Sequence, residues 1–357
     1  RDLKRIQSED ENLVQKLSIH HNLWNIKSKV FHNLYVKGKA RSNKDLDKFK
    51  RIVDKVVLKN TEESMLAENQ YLLNHLYSAY FYGVGNLKKC YPYLQANLNL
   101  IEKSPHLFQE EPSIYMGVLT NAIHVSSKID KVDEGFMLLE KLRSLPKLLD
   151  EKNSEHLEMQ IFAISTSTEL ALHAHSGRFE EGLELIPKIE EGLLKYADDL
   201  SSVRKAGFFF NIAVLCFGAD KLHEALKWIN ELLNNIEIDT TQDLHCMAQI
   251  FNLVIHLELG NKSLLPYTLR STQRYLETRN KVYRFESLFL QFINALLKKR
   301  REESDAELYQ HLFTDLDELK QDPFERVVFE YFDFHAWAQS KIEGVGPHRG
   351  RPSESVS

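Results

Sequence analysis

Apolar residues in this chain return at intervals of three and four. Phe209, Ile212, Ala213 and Cys216 fall on one face of a helix, and Ala225, Trp228, Ile229, Leu232 and Leu233 on one face of the next. The polar run between them breaks the period and predicts a turn at Asp220. The clearest unit of this kind is His173-Ala-His-Ser-Gly-Arg-Phe-Glu-Glu-Gly-Leu-Glu-Leu-Ile186. Here an apolar helix ends at Ser176, and Phe179-Glu-Glu-Gly182-Leu opens the following one. Gly177 supplies the left-handed backbone that closes a helix. Gly182 is small enough to let two helices approach closely.

Aligning Gly182 with Ala225 sets Gly177 on Asp220, Phe179 on Leu222 and Ile186 on Ile229. The same frame fits Gly85–Leu94, Asp130–Leu139 and Gly260–Leu269. Turns are therefore predicted at 85, 130, 177, 220 and 260, spaced by 45, 47, 43 and 40 residues. Extending the series reaches the polar breaks Lys37–Lys44 and Arg300–Ser304. Each unit is a helix pair that cannot cover its own apolar face, so neighbours must stack. Phe324–Trp337, rich in aromatic and branched residues, is expected to close the last unit. The turn-rich segment 344–357 is expected to be disordered.

The pattern small-x-hydrophobic-Glu-Glu-small after a turn, with an apolar residue four positions on, resembles the tetratricopeptide repeat. Gly177–Ile186 and Asp220–Ile229 carry it best, and the resemblance covers roughly residues 65–340. It implies an all-α, right-handed α-solenoid of about seven antiparallel helix hairpins. The repeats of about 40–47 residues exceed the family's about 34, implying extended helices or loops; a HEAT-like array of helix pairs is the neighbouring alternative. In this frame residues 1–60 form a basic helical hairpin continuous with the array at 61–343.

Composition narrows the field further. The 357 residues include only 14 Gly and 9 Pro, about half the usual share. That argues against a hairpin-rich β-sandwich or barrel. Three scattered cysteines, Cys90, Cys216 and Cys246, sit in apolar helical stretches and read as small buried residues. With no 18-residue apolar run and no signal-peptide core, they predict a cytoplasmic protein with no membrane partner. Arg1 begins the chain inside a charged helical pattern, which predicts further sequence upstream.

The net charge of −5 is unevenly spread. Residues 1–60 hold 15 Lys/Arg against 7 Asp/Glu, a balance of +8, so the remainder carries −13. Nucleic acid is one partner this segment could meet. A solvated helix face, with Asp45, Asp47 and Asp54 interleaved, is the reading the pattern favours. A second basic cluster, Arg270, Arg274, Arg279, Lys281 and Arg284, is expected to pair within the chain with the acidic stretch 302–333; an acidic partner is the alternative.

Catalytic chemistry finds no foothold in the sequence. No histidine pair has the helical ligand spacing of three or four, so no metal site is predicted. Phosphate-binding and nucleophile-elbow glycine motifs are absent from the sequence, and no cofactor or catalytic residue is predicted. Glu169 and His173, at i and i+4, read as a structural pair.

In the resemblance the first helix of each pair lines the concave face. This frame selects His75, Tyr82, Asn121, His124, Thr168, His175, Phe210, Asn211 and Phe217 as a peptide-binding groove. Amides there would pair with a peptide backbone and aromatics would supply contact area. The competing reading makes about half of them inter-helix packing residues. The expected function is a non-catalytic protein-interaction module or scaffold. The alternative is a peptide-sensing regulator with an output domain upstream; an enzyme built from distant residues is a third class.

Overall fold

The computed structural model describes residues 2–56, 66–105, 111–148, 155–235, 242–299 and 304–344. Among the described residues all regular structure is helical: α1 (Asp2–Lys37), α2 (Asn43–Val53), α3 (Ala67–Gly83), α4 (Leu87–Lys103), α5 (Pro112–Ser127), α6 (Val132–Leu148), α7 (Glu155–Ser176), α8 (Phe179–Leu183), α9 (Ile186–Lys195), α10 (Ser202–Gly218), α11 (Leu222–Asn235), α12 (Gln242–Glu258), α13 (Leu265–Thr278), α14 (Arg284–Lys298), α15 (Asp305–Gln321), a short 3-10 helix (Arg326–Glu330) and α16 (Phe334–Glu343). No described helix is long and apolar enough to cross a membrane. The break expected near 303 and all of the tail beyond Gly344 lie outside the described residues.

The five turns predicted from sequence all have left-handed backbone, at Gly85, Asp130, Gly177, Asp220 and Gly260. Gly38, 47 residues before Gly85, adds the joint between α1 and α2. A common hydrogen bond explains the conformation. The amide following the left-handed residue donates to the carbonyl five positions back: Asn86 to Phe81, Arg178 to His173, Lys221 to Cys216 and Asn261 to His256, at 2.8–3.0 Å. This satisfies a helix-terminal carbonyl, and only a left-handed residue turns the chain sharply enough to make it. Asn280 repeats the device between α13 and α14, with Lys281 donating to Leu276.

The chain forms two compact units, Arg1–Ile129 with Lys147–Leu149, and Asp130–Pro146 with Asp150–Ser357. In the first, α1 packs on α3, α3 on α4 and α4 on α5, while α2 lies beside α1 and α3. The last part of α1 contributes Leu23, Ile26 and Val30 to the interior. Ser42 caps α2, accepting from the Asp45 amide at 3.2 Å. Phe49 of α2 is buried against α3, where its ring lies 2.8 Å from where a side chain on Gly83 would begin. A methyl group there would force the two helices apart.

In the second unit α10 packs against α7, α8 and α11, and the sequence continues through α12, α13, α14, α15 and α16 by neighbouring contacts. Gly182 occupies the close-packing slot expected of it, since an added Cβ would sit 2.7 Å from Leu215 and 3.0 Å from the His173 side chain. Its counterpart Ala225 is fully buried. The helix expected to run on from Phe179 instead breaks after Leu183 and restarts at Ile186, with Pro187 in the first turn of α9. Proline lacks an amide donor and favours a helix start. Pro266 likewise delays α13 to Leu265.

The aromatic segment 324–337 enters this second core. Phe332 lies 4.7 Å from Phe251 with the rings tilted, and Phe334 lies 4.8 Å from Phe285 and 5.5 Å from Phe289. Trp337, fully buried, donates from Nε1 to Glu258 Oε1 at 2.8 Å, and Lys341 pairs with the other oxygen of the same carboxylate. Glu325 turns inward to accept from the Arg284 and Phe285 amides at 3.3 and 3.0 Å. A buried carboxylate is thus satisfied by the free donors at the start of α14.

Candidate functional site

In the first unit His75 and Tyr82 stand two turns apart on α3, and Asn121 and His124 one turn apart on α5. The structure brings Tyr82 and His124 together. The phenol oxygen lies 3.4 Å from His124 Nε2, with ring centroids 5.8 Å apart. Lys39, in the connection from α1 to α2, places its ammonium 4.1 Å from the centre of the Tyr82 ring, a cation–π contact. A backbone bond from Ala40 to the Gly83 carbonyl, 2.8 Å, fixes that connection over the end of α3. Asn121 is exposed, and Tyr82, His124 and Lys39 are partly exposed.

His75 has a different setting. Its Nδ1 lies 3.0 Å from the Tyr71 hydroxyl, and its ring meets the edge of Phe31 of α1 at 4.9 Å. Burial, reinforced by the Lys27 ammonium, pushes its pKa down to about 4. Burial also raises Tyr71 to about 12 and lowers Lys27, an effect Glu111 opposes. The neutral imidazole is a packing element beneath α1 rather than part of an open face.

The second unit separates its five predicted residues in the same manner. Thr168 is buried and its hydroxyl donates to the Ile164 carbonyl at 2.6 Å, one turn back on α7. Phe210 packs 5.8 Å from Phe251 and 6.1 Å from Tyr331. Phe217, with no exposed surface, lies 5.3 Å from both Phe251 and Phe332. These two phenylalanines meet through Phe251 as core residues. Asn211 is partly exposed and His175 exposed.

Four of the five residues of the second basic cluster have partners within the chain, and one of them, Arg284, meets the acidic stretch. Arg284 reaches Glu318 at 3.0 Å and Asp322 at 3.9 Å, inside the acidic stretch named above, and Lys281 reaches Asp243 at 2.7 Å. Arg279 lies over Tyr275 at 3.9 Å and Arg270 over Tyr267 at 4.9 Å. Glu169 pairs with Arg143 of α6, which also reaches Glu140 at 2.9 Å. Cys90, Cys216 and Cys246 are free and buried, and burial pushes each thiol up to about 12, which keeps them protonated and unreactive. No group of three or more His, Cys, Asp or Glu suited to a metal ion occurs among the described residues.

The arrangement offers hydrogen-bonding and aromatic contact at Lys39, Tyr82, Asn121 and His124. Lys39 was not selected from sequence, because its partner Tyr82 lies 43 positions later and no local period links them. No protein-family model matches the chain, and no curated protein matches its sequence.

Proposed function

We propose that this chain is a non-catalytic interaction protein that binds a peptide or a partner domain through the edge formed by Lys39, Tyr82, Asn121 and His124. The convergence of Tyr82 and His124, from the first helices of two successive pairs, carries this reading. An amide, an imidazole, a phenol and an ammonium at one edge suit the donors and acceptors of an extended backbone, with an aromatic ring for contact area. Reading the helix pairs as a right-handed tetratricopeptide-like solenoid of about seven hairpins belongs to the same proposal, as does a cytoplasmic setting.

The test uses the full chain as bait in affinity purification from native lysate, read by mass spectrometry. Wild type should retain a partner that the double variant Tyr82→Ala, His124→Ala loses at least about tenfold, the weight of one well-placed contact of about 1.4 kcal/mol. Retention of the same partner by the variant, or recovery of none by wild type, overturns the proposal. Thermal unfolding of the variant checks that the fold survives.

A further inference from the structure

The helices of the first unit gather one sign of charge at one end. α1 and α3 run the same way, since Asn69 bonds the Lys16 carbonyl at 3.2 Å and the Ala40 amide bonds the Gly83 carbonyl at 2.8 Å. α4 runs back along α3, with Tyr93 5.3 Å from Tyr77 and Asn97 bonded to the Tyr71 carbonyl at 3.2 Å. α5 follows α3 again, through Tyr82 and His124. The ends of α1, α3 and α5 therefore meet the starts of α2 and α4, and the Tyr82–His124 edge lies there. No Asp or Glu occurs in residues 12–44, 69–101 or 112–129. Glu68, Glu102 and Glu111, the described carboxylates of α3, α4 and the start of α5, stand at the opposite end.

The joint end carries Lys37, Lys39, Arg41, Lys44, Lys88 and Lys89, and all but Lys39 and Arg41 are fully exposed. Asp45, the first carboxylate of α2, is held by the Ser42 hydroxyl at 2.7 Å and the Arg41 amide at 3.3 Å. Asp47 and Asp54 follow further along that helix. Helix dipoles do not account for the cluster. Lys88 and Lys89 occupy the first turn of α4, where no acidic residue stands and the field of the helix repels a cation. Such a local conflict is characteristic of a functional surface. Lys39 lies 4.1 Å from the centre of the Tyr82 ring and Lys89 5.9 Å from that of Phe81. A ring orients an ammonium group without cancelling its charge.

We infer that the partner met at the Tyr82–His124 edge is an acidic peptide segment whose carboxylates pair with this cation cluster; the inference rests on the reading of that edge as a peptide site. Charge complementarity calls for a polyanion, and the rings choose between a peptide and single-stranded nucleic acid. Bases bind such surfaces by stacking on open aromatic faces. Here Lys39 covers Tyr82, while Phe81 is stacked on Tyr93 at 5.7 Å and met by Lys89. A peptide needs only the ammonium and guanidinium groups for its carboxylates and the Asn121 amide for its backbone.

Fluorescence anisotropy of the full chain with a labelled oligoglutamate of about ten residues tests this, beside a Gly-Ser peptide and an oligothymidylate of the same length. Wild type should bind the oligoglutamate and not the Gly-Ser peptide, and should lose at least about tenfold between about 50 and 300 mM salt. Lys88→Glu with Lys89→Glu should weaken binding at least about tenfold. Both lysines are exposed, so circular dichroism should match wild type. Lys188→Glu with Lys262→Glu makes the same change of net charge on exposed lysines of the second unit and should stay within about twofold of wild type. Absent binding, tighter binding of the oligothymidylate, no loss at positions 88 and 89, or equal loss in the two double variants overturns the inference. If it falls while Tyr82→Ala with His124→Ala still loses its partner from lysate, the edge stands and only the acidity of its ligand is withdrawn.

Discussion

The two compact units close their helix pairs in the same way and fill their interiors differently. The second is built around rings, with Phe210, Phe217, Phe251, Phe332, Phe285, Phe289, Phe334 and Trp337 in linked contact. In the first, Leu23, Leu72, Leu76, Leu94 and Leu119 share the interior with Asn33, Asn69, Asn74 and Asn97. Two of these amides are tied by specific bonds: Asn69 donates to the Lys16 carbonyl at 3.2 Å and meets His20 at 3.0 Å, while Asn97 donates to the Tyr71 carbonyl at 3.2 Å. A ring core is stabilised chiefly by buried area. A polar interior holds its register by directed bonds and gains less from each buried residue.

The largest test of this contrast lies in the ring core. Phe251→Ala should cost about 3–5 kcal/mol, since it opens a cavity among Phe210, Phe217 and Phe332. Urea denaturation checks it, and a loss under about 2 kcal/mol would mean that the rings are loosely packed.

Acid should act on the first unit through His75. The unfolded imidazole takes up a proton below about 6.5, whereas the folded one resists to about 4. Stability present above pH 6.5 is therefore lost as pH falls toward 4, by about 3 kcal/mol. The second unit also contains histidines lowered by burial, His173, His245, His256 and His335. The difference between wild type and His75→Phe, measured by urea midpoints at pH 7.5 and 4.5, isolates the first. Equal acid sensitivity in the two proteins would remove His75 from this role.

Smaller effects sharpen the comparison. Glu325→Ala should cost about 2 kcal/mol by uncapping α14, visible as faster amide hydrogen exchange at Arg284 and Phe285. Gly85→Ala and Gly260→Ala should each cost about 1–2 kcal/mol, because both residues are left-handed. Similar losses in thermal unfolding would show that the joints are equivalent although the interiors are not.

Those joints were legible in the sequence for a physical reason. A left-handed helix end tolerates few residue types, so Gly85, Gly177 and Gly260, with Asp130 and Asp220, announce themselves at regular intervals. The groove was less legible. A phenylalanine on an apolar helix reads alike whether it meets a ligand or another helix, and Phe210 and Phe217 are buried by rings from α12 and the segment before α16. His75 is covered by Phe31, 44 positions earlier. Such long-range covering leaves no local trace.

The bond from Trp337 to Glu258 also sets a clock. It joins residues 79 positions apart, which a ribosome adding about 5–20 residues per second separates by roughly 4–16 s. Throughout that interval α12 has emerged while the side chains that satisfy its carboxylate have not. A hydrated Glu258 disfavours any premature apolar cover over this part of the core. The partners of this carboxylate come from α16, at the far end of the described second unit.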